Sequence, residues 1–322
     1  MLRPFVIGIV LIGMAAVGSE TVRAQVYPYK PIRVITAQAG GGLDVAARII
    51  AQGLTNNFGQ QVVVDNRGGA SGAIAITTAA RAPSDGYTLL LYSNGIWVLP
   101  FLRTNLGYDP VKDFSPVTMA ASSPNILVTH PSLAASSVKD LITLLKARPG
   151  AVSYASGGPG STPHLAAELF KSMAGVDIVH VPYKGSGPGL RDLIAGQIQM
   201  MFPVAASVMP HVKSGRLKAL AVTSSKPSLL VPDLPTMAAS GLPGYESIQM
   251  FGVYAPAGTP RTIINRLNQE LLRVLGDTQV KNRLFSAGAE VVGSSPEQLV
   301  AAVKSDMARV RTVIRDAGIR AE

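Results

Sequence analysis

Small residues at the starts of helices are the main chemical resource of this sequence. The segment from Ser153 to Leu190 reads as strand, glycine-rich loop and helix, and then repeats that order. In the first copy Ser156, Gly157, Gly160, Ser161 and Thr162 form the loop, with Thr162 the expected N-cap and Pro163 the first helical residue. A proline costs nothing at that position, because its missing N–H would be unpaired anyway. A helix begun this way aims unpaired backbone N–H groups and the positive end of its dipole into the loop. The result is an anion site made of backbone. Gly40, Gly41 and Gly42 form a comparable loop nearer the N-terminus. There the absence of a Cβ lets amides come close to a bound group.

Side chains beside these loops divide between binding and structural roles. Gln38 and Leu43 flank the triple glycine, and Gln38 either adds an amide contact or satisfies loop backbone. Asp44 stands in the first turn of its helix, where a negative charge is stabilised in any case, so capping competes with ligand contact. Asn66, Ser93 and Asn94 lie at strand ends and are candidate polar contacts. His164 follows Pro163 and either donates to an anion or packs as a neutral ring. Tyr183 is a candidate pocket wall, Lys184 a counter-ion or a solvated loop residue, and Phe202 a cleft-lining or core residue.

Catalytic motifs are missing. The sequence has no GxxxxGK[ST] phosphate loop, no HExxH and no GxSxG elbow, and Val45 leaves the dinucleotide fingerprint after Gly40 incomplete. His130, His164, His180 and His211 lack metal-ligand spacing, and no carboxylate pair forms an acid/base motif. The reading is non-enzymatic, with no catalytic residue, metal or cofactor. An exported hydrolase using Ser161 and His164 is the alternative.

Elements that position the loops alternate. Arg33 to Ala37, Gln61 to Asp65 and Tyr87 to Tyr92 read as strands, each ending in small residues before a helix. That order predicts a parallel sheet with its loops gathered at one edge, where ligands bind. A second region repeats the plan with strands at Val152 to Ala155, Ile178 to Pro182, Met200 to Phe202 and Ala219 to Thr223. Gly252 to Ala255 then leads to helical segments. Thr259-Pro260 is read as a cap with proline, and Ser295 to Gln298 as a capping box opening the last helix.

Composition agrees with a packed globular protein: 47% of residues are hydrophobic and 15% charged. Arg3, the apolar run Phe5 to Val17 and Val22-Arg23-Ala24 predict a signal peptide cleaved before Gln25, leaving a soluble exported chain, with an uncleaved anchor as the alternative. The net charge of +10 is scattered without a basic run or aromatic-basic stripe, which argues against nucleic acid and for steering small anions or an acidic partner surface. The chain contains no cysteine, so disulfides, thiol catalysis and a lipid anchor on cysteine are excluded.

The chain carries, in order, the runs Tyr29-Lys30-Pro31-Ile32, GGGLDVAAR, Asp65-Asn66-Arg67, GGPGSTPHLAAELF, HVPYKG, LKALAVTS, PDLPTM and YAPAGTP. Together these runs resemble the periplasmic solute receptors of tripartite tricarboxylate transporters, the Bug family. Many members carry an aromatic residue and a proline where this chain has Ala37-Gln38-Ala39. The resemblance implies an α/β, type II-like periplasmic binding protein fold: two α/β domains joined by crossing hinge strands. On that pattern residues 1–24 are the signal peptide, 25–126 plus 250–322 the first lobe and 127–249 the second. The hinge falls near Asn125 to Thr129 and Gln249 to Tyr254. It further implies a monomer that closes on a small organic carboxylate, held by loops from both lobes, and serves integral-membrane transporter subunits. A sensor subunit for a signalling partner would share this logic.

Overall fold

Apolar runs bounded by glycine loops become strands, and those inside the sheets, such as Thr88–Tyr92, Ile126–Thr129 and Met200–Met201, are covered on both faces. The computed structural model describes residues 27–319 except 38, 41, 70 and 71, so the leader lies outside the described residues. In chain order the first elements are β1 (Ile32–Thr36), α1 (Gly42–Phe58), β2 (Val62–Asn66), α2 (Ala73–Ala80), β3 (Thr88–Tyr92), α3 (Gly95–Leu102) and β4 (Phe114–Pro124). The middle of the chain gives β5 (Ile126–Thr129), α4 (Val138–Ala147), β6 (Ser153–Ser156), α5 (Thr162–Ala174), β7 (Val179–Pro182), α6 (Ser186–Ile194), β8 (Met200–Met201), α7 (Ala205–Lys213) and β9 (Lys218–Val222). The C-terminal part adds β10 (Ile248–Pro256), α8 (Arg261–Gly276), α9 (Thr278–Ser286), β11 (Glu290–Val291) and α10 (Pro296–Asp316). Among the described residues no helix is long and apolar enough to cross a membrane.

Two sheets result. The first has the order β11-β4-β10-β3-β1-β2, and the second β7-β6-β8-β5-β9. Strands β2, β1 and β3 are parallel, as their loop spacing predicts. β10, β4 and β11 then extend the sheet antiparallel. The second sheet pairs β7, β6 and β8 in parallel and adds β5 and β9 antiparallel. Strand β3 is buried along its whole length, the mark of a strand covered on both faces. Leu89 and Leu91 face α1 and α8 through Ile50, Leu54, Leu267 and Leu271. Leu90 faces α2, α3 and α10 through Ile76, Trp97 and Val313. In the second sheet Tyr154 packs with α4 and α5, and Ala155 with α6 and α7. Each sheet with its helices makes one lobe.

A single residue, Asn125, joins β4 of the first sheet to β5 of the second. Its N–H donates to the Thr223 hydroxyl at 2.8 Å, and the Thr223 N–H donates back to the Asn125 carbonyl at 2.9 Å. Ser247, on the return path to β10, donates its N–H to the Thr223 carbonyl at 2.9 Å. Both crossings are therefore tied together at one point.

Two sequence-read caps need correction. Ser161, not Thr162, is the N-cap of α5, and Thr162 and Pro163 are its first two helical residues. Pro260 itself occupies the cap of α8, while the Thr259 hydroxyl donates to the Pro256 carbonyl at 2.7 Å. The Ser295 capping box is present as read.

Candidate functional site

The loops that end β3, β6 and β7, with the start of α7, meet across a cleft of about 490 Å³. Its first-lobe wall is Tyr92, Ser93 and the α3 residues Gly95, Val98, Leu99 and Leu102. The second-lobe wall is Gly157, the stretch Pro159 to Pro163, and Ser186, Val204 and Ser207. Gln249 of β10 forms part of the floor between them.

Four helices bring their N-terminal turns to this space. Gly95 and Thr162 open α3 and α5, Ser186 opens α6, and Val204 caps α7. None of these four N-termini has a side-chain cap. Where α4, α9 and α10 begin, Ser137, Asp277 and Ser295 supply caps, whereas α2 and α8 also begin without a side-chain cap; none of these five helices lines the cleft. Potential capping groups at the cleft are used elsewhere. The Ser161 hydroxyl donates to the Gly158 carbonyl at 2.8 Å, and the Asn94 side-chain oxygen Oδ1 accepts from the Met250 N–H at 2.7 Å. The cleft thus gathers helix ends whose amide charge is left for something else.

Behind the second-lobe loop lies a stack of rings. The His164 and His180 ring centres are 4.0 Å apart and those of His180 and Tyr154 4.9 Å apart, with the ring planes nearly parallel. The Gly160 N–H donates to Nδ1 of His164 at 3.0 Å, and the Ser156 hydroxyl is 2.7 Å from Nε2 of His180. Burial, then the neighbouring His180 and Lys171, push the His164 pKa down to about 3. Burial likewise lowers that of His180. His164 is therefore a neutral acceptor that holds a loop amide. It does not line the cleft. Nor does it form a Ser161–His164 pair, since both groups have other partners.

Of the residues singled out in the sequence, Ser93, Gly157, Gly160, Ser161 and Thr162 come together on the cleft. Others turn inward. Phe202 is fully buried beside Phe170 in the second-lobe core. Asn94 is buried and donates to Asp306 at 2.7 Å, and Ser156 is buried beneath its own loop. Asp44 accepts from the Gly40 N–H and from Asn66, each at 2.9 Å. Asn66 also donates to the Ala37 carbonyl and accepts from Arg48. Burial would raise the Asp44 pKa, but the Gly40, Asn66 and Arg48 contacts outweigh it and hold the carboxyl below its usual range. Asp44 and Asn66 thus anchor the loop. Tyr183 is half-buried and donates to Asp192 at 2.6 Å, which with burial raises its pKa to about 12. Leu43 packs on the first-lobe cores. Gly40 and Gly42 are exposed and stand outside the cleft lining, whereas Gln38 and Gly41 lie outside the described residues.

Val98, Leu102, Ser186, Ser207 and Gln249 were not legible as site residues. Ser186 follows a glycine at a helix start, a signal of the same kind as Ser161. The α3 residues had no signal, because Pro100 interrupts an apolar run without helical alternation.

The family described as "Tripartite tricarboxylate transporter family receptor" matches residues 46–319. Protein BugT of Bordetella pertussis (strain Tohama I) is 38% identical over 302 residues, covering 93% of each chain. Among solved structures, the R. palustris protein Rpa4515 with adipate superposes with a TM-score of 0.79 at 40% identity, covering 91% of this chain and 99% of its own. MatC from Rhodopseudomonas palustris with bound malate gives 0.75 at 30%, covering 89% and 100%. The matching family is one of receptors. With a cleft between two α/β lobes and a match along most of its length, the chain belongs to the tripartite tricarboxylate transporter receptor family.

Proposed function

We propose that this protein is a periplasmic receptor that traps a small organic carboxylate between its lobes and delivers it to membrane transporter subunits. The observation that carries the reading is the convergence of four helix N-termini without side-chain caps on one cleft. Each such end contributes about 0.3–1 kcal/mol towards an anion when exposed and up to about 2 kcal/mol when partly buried. Charge-assisted hydrogen bonds from loop amides add about 1.5–3 kcal/mol each. A few together reach the roughly 8 kcal/mol of micromolar binding. Adipate and malate in related structures support carboxylates as the ligand class. The division into residues 25–126 plus 250–322 and 127–249, hinged where Asn125, Thr223 and Ser247 meet, is part of this proposal. So are export with cleavage before Gln25 and a monomeric state.

Small-angle scattering with and without saturating adipate or malate tests the trap. The expected result is a smaller radius of gyration with any acid that calorimetry shows to bind. An unchanged profile with a bound acid would overturn it.

A further inference from the structure

The two walls of the cleft differ in chemistry. The second-lobe wall carries loop amides and the hydroxyls of Ser161, Thr162, Ser186 and Ser207. Opposite, beyond Ser93 and Gly95 at its start, α3 lines the cleft with the half-buried Leu102 and the nearly buried Val98 and Leu99, and Pro159 and Val204 add apolar surface on the second lobe's own side. No described lining residue carries a full charge at neutral pH. Leu102 reaches across the cleft so closely that a Cβ on Gly160 would stand 2.1 Å from its Cδ1. A ligand whose charged end sits at the second-lobe amides must therefore lay its body on hydrocarbon.

We propose that the cleft selects acids with a hydrocarbon body, an alkyl chain or an aromatic ring, over hydroxylated acids of similar carbon skeleton. This rests on the carboxylate reading above. Hydroxyl groups held against Val98, Leu99 and Leu102 lose their water partners and gain none, which is unfavourable. Each methylene buried there is worth about a fourfold gain in affinity. The apolar wall thus acts as the specificity-determining surface, while the helix ends supply a charge site common to all acids.

Calorimetry on matched pairs tests this directly: hexanoate against gluconate, benzoate against quinate, and succinate against tartrate. In every pair with a binding member, the hydrocarbon acid is expected to bind at least about fivefold more tightly. Leu102→Ser should weaken that acid severalfold and leave the hydroxylated partner unchanged, with thermal melts reporting that the variant is folded. A smaller gap, a preference for the hydroxylated acid, or an equal effect of Leu102→Ser on both members would overturn the selection by hydrocarbon and leave the carboxylate reading standing. Binding by no acid in any pair would bring down the carboxylate reading and this inference with it.

Discussion

Gly160 is the position where loop conformation and lobe closure can be separated experimentally. Its φ of +75° lies in the left-handed region, and its missing Cβ leaves room for Leu102 and Val98 of the opposite lobe. In Gly160→Ala the backbone term is about 1–2 kcal/mol, and it acts whether the cleft is open or closed. The second term acts only on closure. The new methyl would lie 2.1 Å from Leu102 Cδ1, against a comfortable contact of about 3.5–4.0 Å. Overpacking of this kind costs about 1–3 kcal/mol. The single variant should therefore melt lower by roughly 2–8 °C and bind its acid about 5- to 150-fold more weakly. Adding Leu102→Ala removes the clash and leaves the backbone strain. The double variant should recover affinity relative to Gly160→Ala while its melting point stays low. Calorimetry and thermal denaturation on the four proteins of the cycle measure both terms. Because Leu102→Ala also removes hydrocarbon from the cleft, the coupling decides: if Gly160→Ala costs as much affinity in the Leu102→Ala background as in the native chain, Gly160 and Leu102 do not meet in the bound state, and the cross-cleft reasoning fails.

Acid should destabilise the protein through its buried histidines. His164 titrates near 6.5 when unfolded and about 3 when folded, so between these values the unfolded chain binds the extra proton. Stability is then complete above pH 6.5 and falls as pH drops, by about 2 kcal/mol for His164 between pH 7 and 5. His180 adds in the same direction. Denaturant melts across that range should show the slope, and His164→Gln should flatten it; a level profile in the native chain would contradict the buried stack. Ser295→Ala removes the hydroxyl that accepts from the Gln298 N–H and should cost about 1 kcal/mol, or roughly 2–4 °C. An unchanged melting point would mean that the start of α10 does not unfold with the rest.

What the sequence made legible follows from the range of the interactions involved. Strands β1, β2 and β3 were readable because each is written as a local apolar run ending in small residues, although only β3 is buried along its whole length and Val63 of β2 is exposed. β4 was not read. Its prolines, serines and threonine resemble a loop until β10 pairs with it from more than a hundred residues away. The same distinction divides the site. Glycines and hydroxyls at helix starts are local signals, and Gly160, Ser161 and Thr162 do reach the cleft. The inward turn of Asn94 depends on Asp306 and Met250, and that of His164 on packing against His180. The apolar wall on α3 was hidden for a related reason. That helix is covered by the first sheet on one side and α10 on another, so it shows no polar face to set its period.

The central claim is that helix ends in the cleft read the charge of a carboxylate. Calorimetry of one binding acid beside its primary amide tests this most directly, since the two differ little in size. The acid accepts charge-assisted hydrogen bonds from the amides, whereas the neutral amide accepts weakly and turns donors towards donors. The predicted result is saturable binding of the acid and at least about a hundredfold weaker binding of the amide, corresponding to about 2.7 kcal/mol. Equal affinity for both would contradict the account.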